Sequence, residues 1–145
     1  MVIRWRFATM TTDMNLVSIT GFVTKDLLST IKFLYYTSRA FKSAQIAEGN
    51  ISSTTFKDAD VFMTLTVWED KESMRKFYLG GEHREAMRQT KPLGLYAKVH
   101  SYLTDEVPTT EEAIKIWRND GRIVHGEPDR KYGDEIVSDE DVSTE

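Results

Sequence analysis

Two stretches of this sequence alternate between an apolar side and a side that mixes aromatic rings with polar groups. Side chains of a strand alternate with a period of two residues, so each stretch predicts a strand with two unlike faces. The mixed side consists of Phe62, Thr64, Thr66 and Trp68 in residues 61–68, and of Tyr96, Lys98, His100 and Tyr102 in residues 95–103. A solvated face seldom carries so many rings, and a buried face seldom carries Lys and His. We therefore expect both mixed sides to share one half-covered sheet face that lines a ligand pocket or a subunit contact.

The composition of the 145 residues excludes several classes of protein. There is no cysteine, which excludes disulfides and thiolate sites, and no apolar run approaches the roughly 20 residues of a membrane span. The N-terminal residues lack the apolar stretch of a secretion signal, so we expect a cytoplasmic protein with no membrane partner. Residues 122–145 hold eight acidic and three basic residues, whereas the whole chain carries a net charge of −4. The first 121 residues are therefore nearly neutral, and no nucleic-acid partner is expected.

The order of predicted elements indicates the fold class. Strands are predicted at 15–23, 51–57, 61–68 and 95–103, and helices at 25–47, 70–79, 82–90 and after Thr109, which forms a capping box with Glu112. This order is the β-α-β-β-α-β pattern of a ferredoxin-like α+β domain, with an antiparallel sheet and helices on one face. We expect the domain to span 14–121, after an N-terminal arm or short strand over 1–13. The acidic composition of 122–145 predicts a disordered tail.

The first predicted helix is apolar on two sides. The longer stripe, which we expect to face the core, consists of Leu27, Ile31, Leu34, Tyr35 and Phe41. The second and narrower stripe consists of Phe33, Tyr36, Ala40 and Ala44. A helix with two apolar sides contacts two partners, and pairing two sheets face to face would cover the mixed face. Both observations predict a homodimer.

The segment from the second strong strand through the helices that follow resembles a known group of proteins. It carries Thr64–Asp70, Met74 and Phe77, the Gly80-Gly81 break, and then His83-Arg84-Glu85-Ala86-Met87. This pattern resembles the dimeric α+β barrel superfamily, which includes the antibiotic-biosynthesis monooxygenases. It looks closest to an uncharacterised branch that also contains relatives of spheroidene monooxygenase. The resemblance covers about residues 14–121 and implies a dimeric α+β barrel.

The resemblance also implies a chemistry, for which it leaves alternatives. The leading expectation is a small-molecule-binding protein that carries out cofactor-independent oxygenation of an aromatic, polyketide or isoprenoid-like substrate. The first alternative is a non-catalytic ligand-binding or regulatory dimer. The second is a haem-binding member, because some members of the superfamily bind haem through a histidine that falls near Met87 here, with an aromatic at Phe77. Methionine is a poor substitute for that imidazole, and His83 keeps the haem alternative open.

The residues themselves supply candidates for a proton acceptor and for a binding surface. His83 lies beside Ala86 and Met87 on its predicted helix, where it is either a pocket base or a structural histidine. His100 alternates with Tyr96, Lys98 and Tyr102 and faces either a ligand or a subunit contact. Trp68 either caps the pocket, with Phe62, Thr64 and Thr66 as further contacts, or belongs to the core. His83, His100 and His125 lack metal-ligand spacing, so no metal site is expected. The oxygenase chemistry that the resemblance implies needs no cofactor, and haem belongs only to the second alternative.

Overall fold

A computed structural model describes residues 14–136, and its strands form one antiparallel sheet. The strands are β1 (Asn15–Thr24), β2 (Asn50–Asp58), β3 (Val61–Trp68), β4 (Gly94–Thr104) and β5 (Arg122–His125), in the spatial order β2-β3-β1-β4-β5. The helices are α1 (Leu27–Ile46), α2 (Lys71–Leu79), α3 (Gly81–Thr90) and α4 (Thr110–Asp120), with short 3₁₀ turns at Lys91–Leu93 and Arg130–Tyr132. The ferredoxin-like α+β prediction is confirmed. The expected arm over 1–13 lies outside the described residues, within which no helix has the length and apolarity to cross a membrane.

Local side-chain bonds explain where the helices begin. The Asp26 carboxylate accepts a hydrogen bond from the Ser29 backbone N–H at 2.8 Å, and that of Asp70 accepts one from Ser73 at 2.7 Å. Thr109 and Glu112 form the predicted capping box. Each bond satisfies a backbone donor that has no partner inside the first helical turn.

One face of the sheet lies under α1, α2 and α3, and we call it the helix face. Phe22 of β1 stacks on Phe33 of α1 with ring centroids 4.4 Å apart, and Trp68 of β3 meets Phe77 of α2 at 5.3 Å. The side chains on this face of the three central strands are Leu16, Ser18, Thr20, Phe22, Thr24, Phe62, Thr64, Thr66, Trp68, Ala97, Val99, Ser101 and Leu103. The three helices of the β-α-β-β-α-β pattern therefore lie together on one face, as predicted.

The opposite face, which we call the core face, is covered by α4 and by the turn that carries Tyr132. The buried residues of this cluster are Val17, Ile19, Val23, Val61, Met63, Leu65, Val67, Tyr96, Ala113, Trp117 and Tyr132. The Trp117 indole donates a hydrogen bond to the backbone oxygen of Lys98 at 2.7 Å. Gly21 lies beneath this ring, where a Cβ would come within 2.4 Å of Trp117. The tryptophan can pack flat against the sheet because β1 has no side chain at that position.

The expectation that the two mixed sides share one face is wrong. Ser18 pairs with both Thr66 and Ser101, so the mixed side of β3 lies on the helix face together with the apolar side of β4. Val17 pairs with both Val67 and Tyr102, so the mixed side of β4 lies on the core face. Both faces of the sheet are covered, because the last helix, α4, packs on the face that α1, α2 and α3 leave open.

The orientation of α1 also differs from the expectation. Phe33 and Ala44, from the narrower stripe, are buried, whereas Leu27, Ile31 and Tyr35 from the longer stripe are exposed. The helix face already carries the bulky rings of Phe22, Phe62 and Trp68, so α1 packs there with one ring and its alanines. The longer apolar stripe consequently faces outward.

The expectation of disorder after Gly121 fails for the part of the tail that the structure describes. Residues 122–125 form β5 beside β4, and Gly126 turns the chain with φ +85° against the Leu95 backbone. Tyr132 is 4% exposed, and its ring lies 4.5 Å from that of Tyr96. Composition suggested a solvated tail, but one tyrosine and the groups around it anchor the segment to the core face.

Candidate functional site

The space between the helix face and α1–α3 has an uncharged floor rich in hydroxyl groups. The floor residues are Ser18 and Thr20 of β1, Thr64 and Thr66 of β3, and Ser101 of β4. Thr20 and Thr64 belong to strands with a neighbour on each side, yet both remain half-buried under the helices. Ser101 is exposed because β5 pairs only with an earlier part of β4. Ser18 itself is 2% exposed, so the accessible part of the floor is Thr20, Thr64, Thr66 and Ser101, and we call this region the cleft.

Two aromatic clusters bound the cleft. At one end Phe33 packs between Phe22 and Phe62, with centroid distances of 4.4 and 5.3 Å. At the other end the cluster consists of Trp68, Phe77, Tyr78 and His83. Phe22 and Leu16, which pair with Phe62 and Trp68, are six residues apart, so the clusters are separated by about 20 Å of strand. The hydroxyl-bearing floor residues therefore lie between two aromatic ends.

A chain of hydroxyl groups connects the second cluster to the floor. The Tyr78 and Ser18 hydroxyls are hydrogen-bonded at 3.1 Å, and the Ser101 hydroxyl donates to that of Ser18 at 3.3 Å. Burial raises the pKa of Tyr78 above its ordinary value, while the bond to Ser18 lowers it in part. Tyr78 consequently remains a protonated phenol at neutral pH and can act as a hydrogen-bond donor.

The imidazole of His83 lies against this phenol. Its ring centroid is 4.5 Å from that of Tyr78 and 5.1 Å from that of Phe77. Burial lowers the pKa of His83 below its ordinary value, opposed by a hydrogen bond with the Tyr78 backbone. The imidazole is therefore neutral at pH 7, which is the form that can accept a proton.

The structure places the predicted β3 residues in or beside the cleft. Phe62, Thr64 and Thr66 lie on the helix face, as does Trp68, which is 1% exposed. The Trp68 indole donates to the Thr66 hydroxyl at 2.9 Å and packs in a small core with Leu16 and Ala44. Trp68 thus closes the end of the cleft from within the core. Met87, where the resemblance puts a haem ligand, is 54% exposed.

The predicted β4 residues form a separate network on the core face. The Lys98 ammonium donates to the Asp134 carboxylate at 2.9 Å, to the Tyr132 carbonyl at 2.7 Å and to the Arg118 carbonyl at 3.0 Å. Tyr96 donates its hydroxyl to the same Asp134 carboxylate. An ammonium has three donors, so this bonding leaves Lys98 none for a ligand.

His100 and Tyr102 complete the β4 set and stack on each other at 5.4 Å, half-buried on the core face. His100 and His83 thus lie on opposite sides of the sheet, so the two predicted bases do not belong to one site.

The residues that sequence reasoning missed are Ser18, Thr20, Tyr78 and Ser101. Alternation along 15–24 groups Ser18 and Thr20 with Phe22, and this signal could have found them. Tyr78 could not be assigned, because the roll of a short helix is not fixed by its sequence. Among residues 14–136, no group of His, Cys, Asp and Glu side chains is placed to hold a metal ion.

Comparison with known proteins gives one family and several structural relatives. A family model described as a domain of unknown function, DUF3291, matches residues 6–116. No curated protein matches the chain.

The solved structures confirm the resemblance to the monooxygenase group at the level of the fold. A conserved protein from Bacteroides thetaiotaomicron, described as a possible oxidoreductase, is 17% identical with a TM-score of 0.55, over 64% of this chain and 99% of its own. An antibiotic biosynthesis monooxygenase is 14% identical with a TM-score of 0.55, over 64% and 99%. SnoaB from Streptomyces nogalater, a cofactor-independent oxygenase, is 12% identical with a TM-score of 0.53, over 66% and 96%.

Proposed function

The chain belongs to the DUF3291 family, and from its monooxygenase-like fold and its cleft we propose that it binds a neutral, partly aromatic small molecule between the sheet and α1–α3. The helix face of the three central strands carries hydroxyls and rings but no charged side chain among the described residues. An ionic ligand would lose its hydration there without gaining a counter-charge. A fused-ring or isoprenoid-like molecule with carbonyl or hydroxyl groups matches both the aromatic ends and the hydroxyl floor.

We further propose that the bound molecule is oxygenated without a cofactor. The observation that carries this step is the neutral His83 imidazole packed against the protonated phenol of Tyr78. His83 would accept a proton from an activated C–H of the substrate, and Tyr78 would donate a hydrogen bond to the resulting enolate oxygen. The enolate carbon would transfer electrons to molecular oxygen and form a C–O bond to a peroxide, which takes back the proton from His83 to become a hydroperoxide. Loss of the second C–H proton and cleavage of the O–O bond would then leave a carbonyl and water, so that CH₂ and O₂ give C=O and H₂O.

A direct test uses anthrone, a neutral tricyclic ketone whose CH₂ is oxidised by O₂ to give anthraquinone and water. We expect the protein to accelerate oxygen uptake by anthrone, and His83→Ala to reduce turnover about 10²–10⁴-fold while leaving anthrone binding unchanged. Tyr78→Phe keeps the ring and removes the hydroxyl, so it isolates the donor. His100→Ala, on the opposite sheet face, is the matched control and should retain full turnover. Full activity in the His83→Ala/Tyr78→Phe double variant would remove the catalytic proposal.

Binding can be tested separately from catalysis. Mass spectrometry of the protein released from cells under native conditions should find a neutral organic ligand. Thr64→Phe, which fills the floor, should abolish anthrone binding, whereas Thr54→Phe on the exposed part of β2 should not. Binding that survives Thr64→Phe would place the ligand elsewhere.

We also propose that the protein forms a homodimer, but not through the face first expected. The β3 residues of the core face are at most 5% exposed within one chain, so a partner sheet has no access to them. The exposed edge of β2 is nine residues long and contains no proline, and such an edge readily pairs with another strand. Sedimentation of the protein should give twice the mass of one chain, and Ile51→Lys on this edge should shift it to one. A stable single-chain mass for the unmodified protein at micromolar concentration would contradict the proposal.

A further inference from the structure

A groove on the outer side of the helices, away from the cleft, combines apolar side chains with positive charge. It lies between α1 and the turn after α3, encloses about 550 Å³, and includes Ile31, Lys32, Tyr35, Pro92 and Leu93 in its lining. Ile31 is 59% exposed and Tyr35 57%, because they belong to the α1 stripe that faces outward. We call this surface the α1 groove. Exposing apolar side chains to water is unfavourable in free energy, and an exposed hydrophobic patch of this kind marks an interaction site.

The charges around the α1 groove are mainly basic. Lys25, Lys32 and Lys91 are exposed at or beside it, and no carboxylate lines it. The nearest acidic side chain along α1, Asp26, is directed to the Ser29 backbone by its hydrogen bond, and its carboxylate offsets part of the charge of Lys25 and Lys32. The smaller adjoining hollow holds Glu82 and Glu85, which face Arg39 at 3.7 Å and Arg88 at 2.6 Å respectively. The occupant of the α1 groove should therefore be both apolar and acidic.

We propose that the occupant is this chain's own C-terminal segment, residues 137–145. This segment contains Asp139-Glu140-Asp141 between two valines, Val137 and Val142, and no basic residue. It provides three adjacent carboxylates for the lysines and apolar side chains for Ile31 and Tyr35. A second copy docking through the same helix is disfavoured, because two α1 surfaces would bring lysines against lysines.

The described part of the chain brings this segment within reach. The His125 ring is hydrogen-bonded to the Gly94 carbonyl at 2.8 Å, and the Lys25 N–H donates to the Leu93 carbonyl at 3.0 Å. The Asp134 carboxylate accepts a hydrogen bond from Tyr96, which follows Gly94 by two residues in β4. Asp134, near the end of the described chain, thus lies at the same end of the sheet as the Leu93 side of the groove. Asp141, the last of the three adjacent acids, follows Asp134 by seven residues, and seven extended residues span up to about 24 Å, which is the reach available for passing round that end to Lys91 and Lys25.

The experiment compares backbone amide spectra of the full chain and of a chain ending at Ile136, which keeps every described residue. We expect chemical-shift differences to cluster on α1 and at Leu93. The triple variant Asp139→Asn/Glu140→Gln/Asp141→Asn should reproduce the α1 shifts of the truncated chain, because it removes the charge and keeps the length. The matched control, Glu127→Gln/Glu135→Gln, removes two carboxylates outside the segment and should leave the α1 shifts unchanged.

Further measurements distinguish the alternatives. Carbodiimide cross-linking should join the acidic triplet to Lys25, Lys32 or Lys91, and 1 M salt should abolish these products by shortening the screening length to about 3 Å. Mixing ¹⁵N-labelled and unlabelled chains shows whether a cross-link joins one chain or two. Differences confined to residues near 136, or cross-links found only between chains, would overturn the proposal.

Discussion

Replacing Asp134 with asparagine should remove much of the stability that residues 126–136 give to the fold. Asp134 forms a salt bridge with Lys98 at 2.9 Å, and the two side chains are 8% and 1% exposed. At an effective dielectric constant of about 20, unit charges at that distance attract by about 6 kcal/mol before their desolvation is subtracted. Removing one partner of a buried pair generally costs about 3–5 kcal/mol, since the remaining charge is stranded. The hydrogen bonds from Lys98 to two backbone carbonyls persist in the variant. We therefore expect the free energy of unfolding to fall by about 3 kcal/mol and Tm to fall by roughly 10 °C.

The assay is urea unfolding followed by tryptophan fluorescence, because Trp117 packs within 4.7 Å of the Lys98 ammonium. Glu135→Gln changes the neighbouring exposed carboxylate and should alter the free energy of unfolding by less than about 0.5 kcal/mol. Combining Asp134→Asn with Lys98→Met should cost less than the sum of the two single changes, since both remove one interaction. A loss below 1 kcal/mol in Asp134→Asn, at an unchanged denaturant slope, would refute the reasoning.

The pH dependence of the same variant provides an independent check. Burial alone would raise the pKa of Asp134, but hydrogen bonds from Tyr96, the Asp129 N–H and Lys98 hold that pKa below its ordinary value. A carboxyl whose pKa is lowered in the folded state stabilises that state above the unfolded pKa of about 3.9, and this stability is lost as the pH falls through the folded pKa. Between pH 5 and 2 the wild type should therefore lose more stability than Asp134→Asn. Parallel curves for the two proteins would contradict the assignment.

Three further changes test the packing, each by the midpoint of urea unfolding. Gly21→Ala puts a Cβ 2.4 Å from the Trp117 ring and should lower the free energy of unfolding by at least about 1–3 kcal/mol. Gly81→Ala, with no atom within 4 Å, should leave it nearly unchanged. Equal effects of the two changes would argue against the α4 contact. Asp70→Ala removes the N-cap of α2 and should cost about 1 kcal/mol, and an unchanged midpoint would mean that this cap is dispensable. Truncation after Gly126 removes the anchoring tyrosine and aspartate and should destabilise the fold by several kcal/mol; a midpoint equal to that of the full chain would show that the segment does not contribute.

The sequence predicts the strands and their alternation well, because period two follows from backbone geometry alone. It does not predict which sides of two strands coincide, since that depends on register, and a shift of one residue exchanges the faces. The pairing of Ser18 with Thr66 and Ser101 decides the question. The same limit applies to α1, where two apolar stripes compete and the bulk of the opposing rings selects the narrower one.

The anchored part of the tail shows a second limit of composition. The charge-rich composition of residues 122–136 predicts a solvated segment, yet Asp134 and Tyr132 are held by partners far away in the chain. A lysine within a strand of rings is unusual, and for Lys98 it suggests contact with a ligand. Its partner instead is a carboxylate 36 residues later. A buried charge predicts an opposite charge, but the sequence does not say whether that charge belongs to a ligand or to the protein itself.

The choice between His83 and His100 follows from the same reasoning. Sequence alternation favours His100, because the direction of a strand side chain is known whereas the roll of a helix is not. The direction of a side chain does not by itself make a ligand site. His100 points to the core face, which α4 and the turn around Tyr132 cover. His83 meets the opposite condition: it is partly buried beside a phenol, yet lies at the edge of a floor that solvent reaches. Accessibility combined with a neutral imidazole is what a proton acceptor requires, so His83 is the histidine on which the proposed chemistry depends.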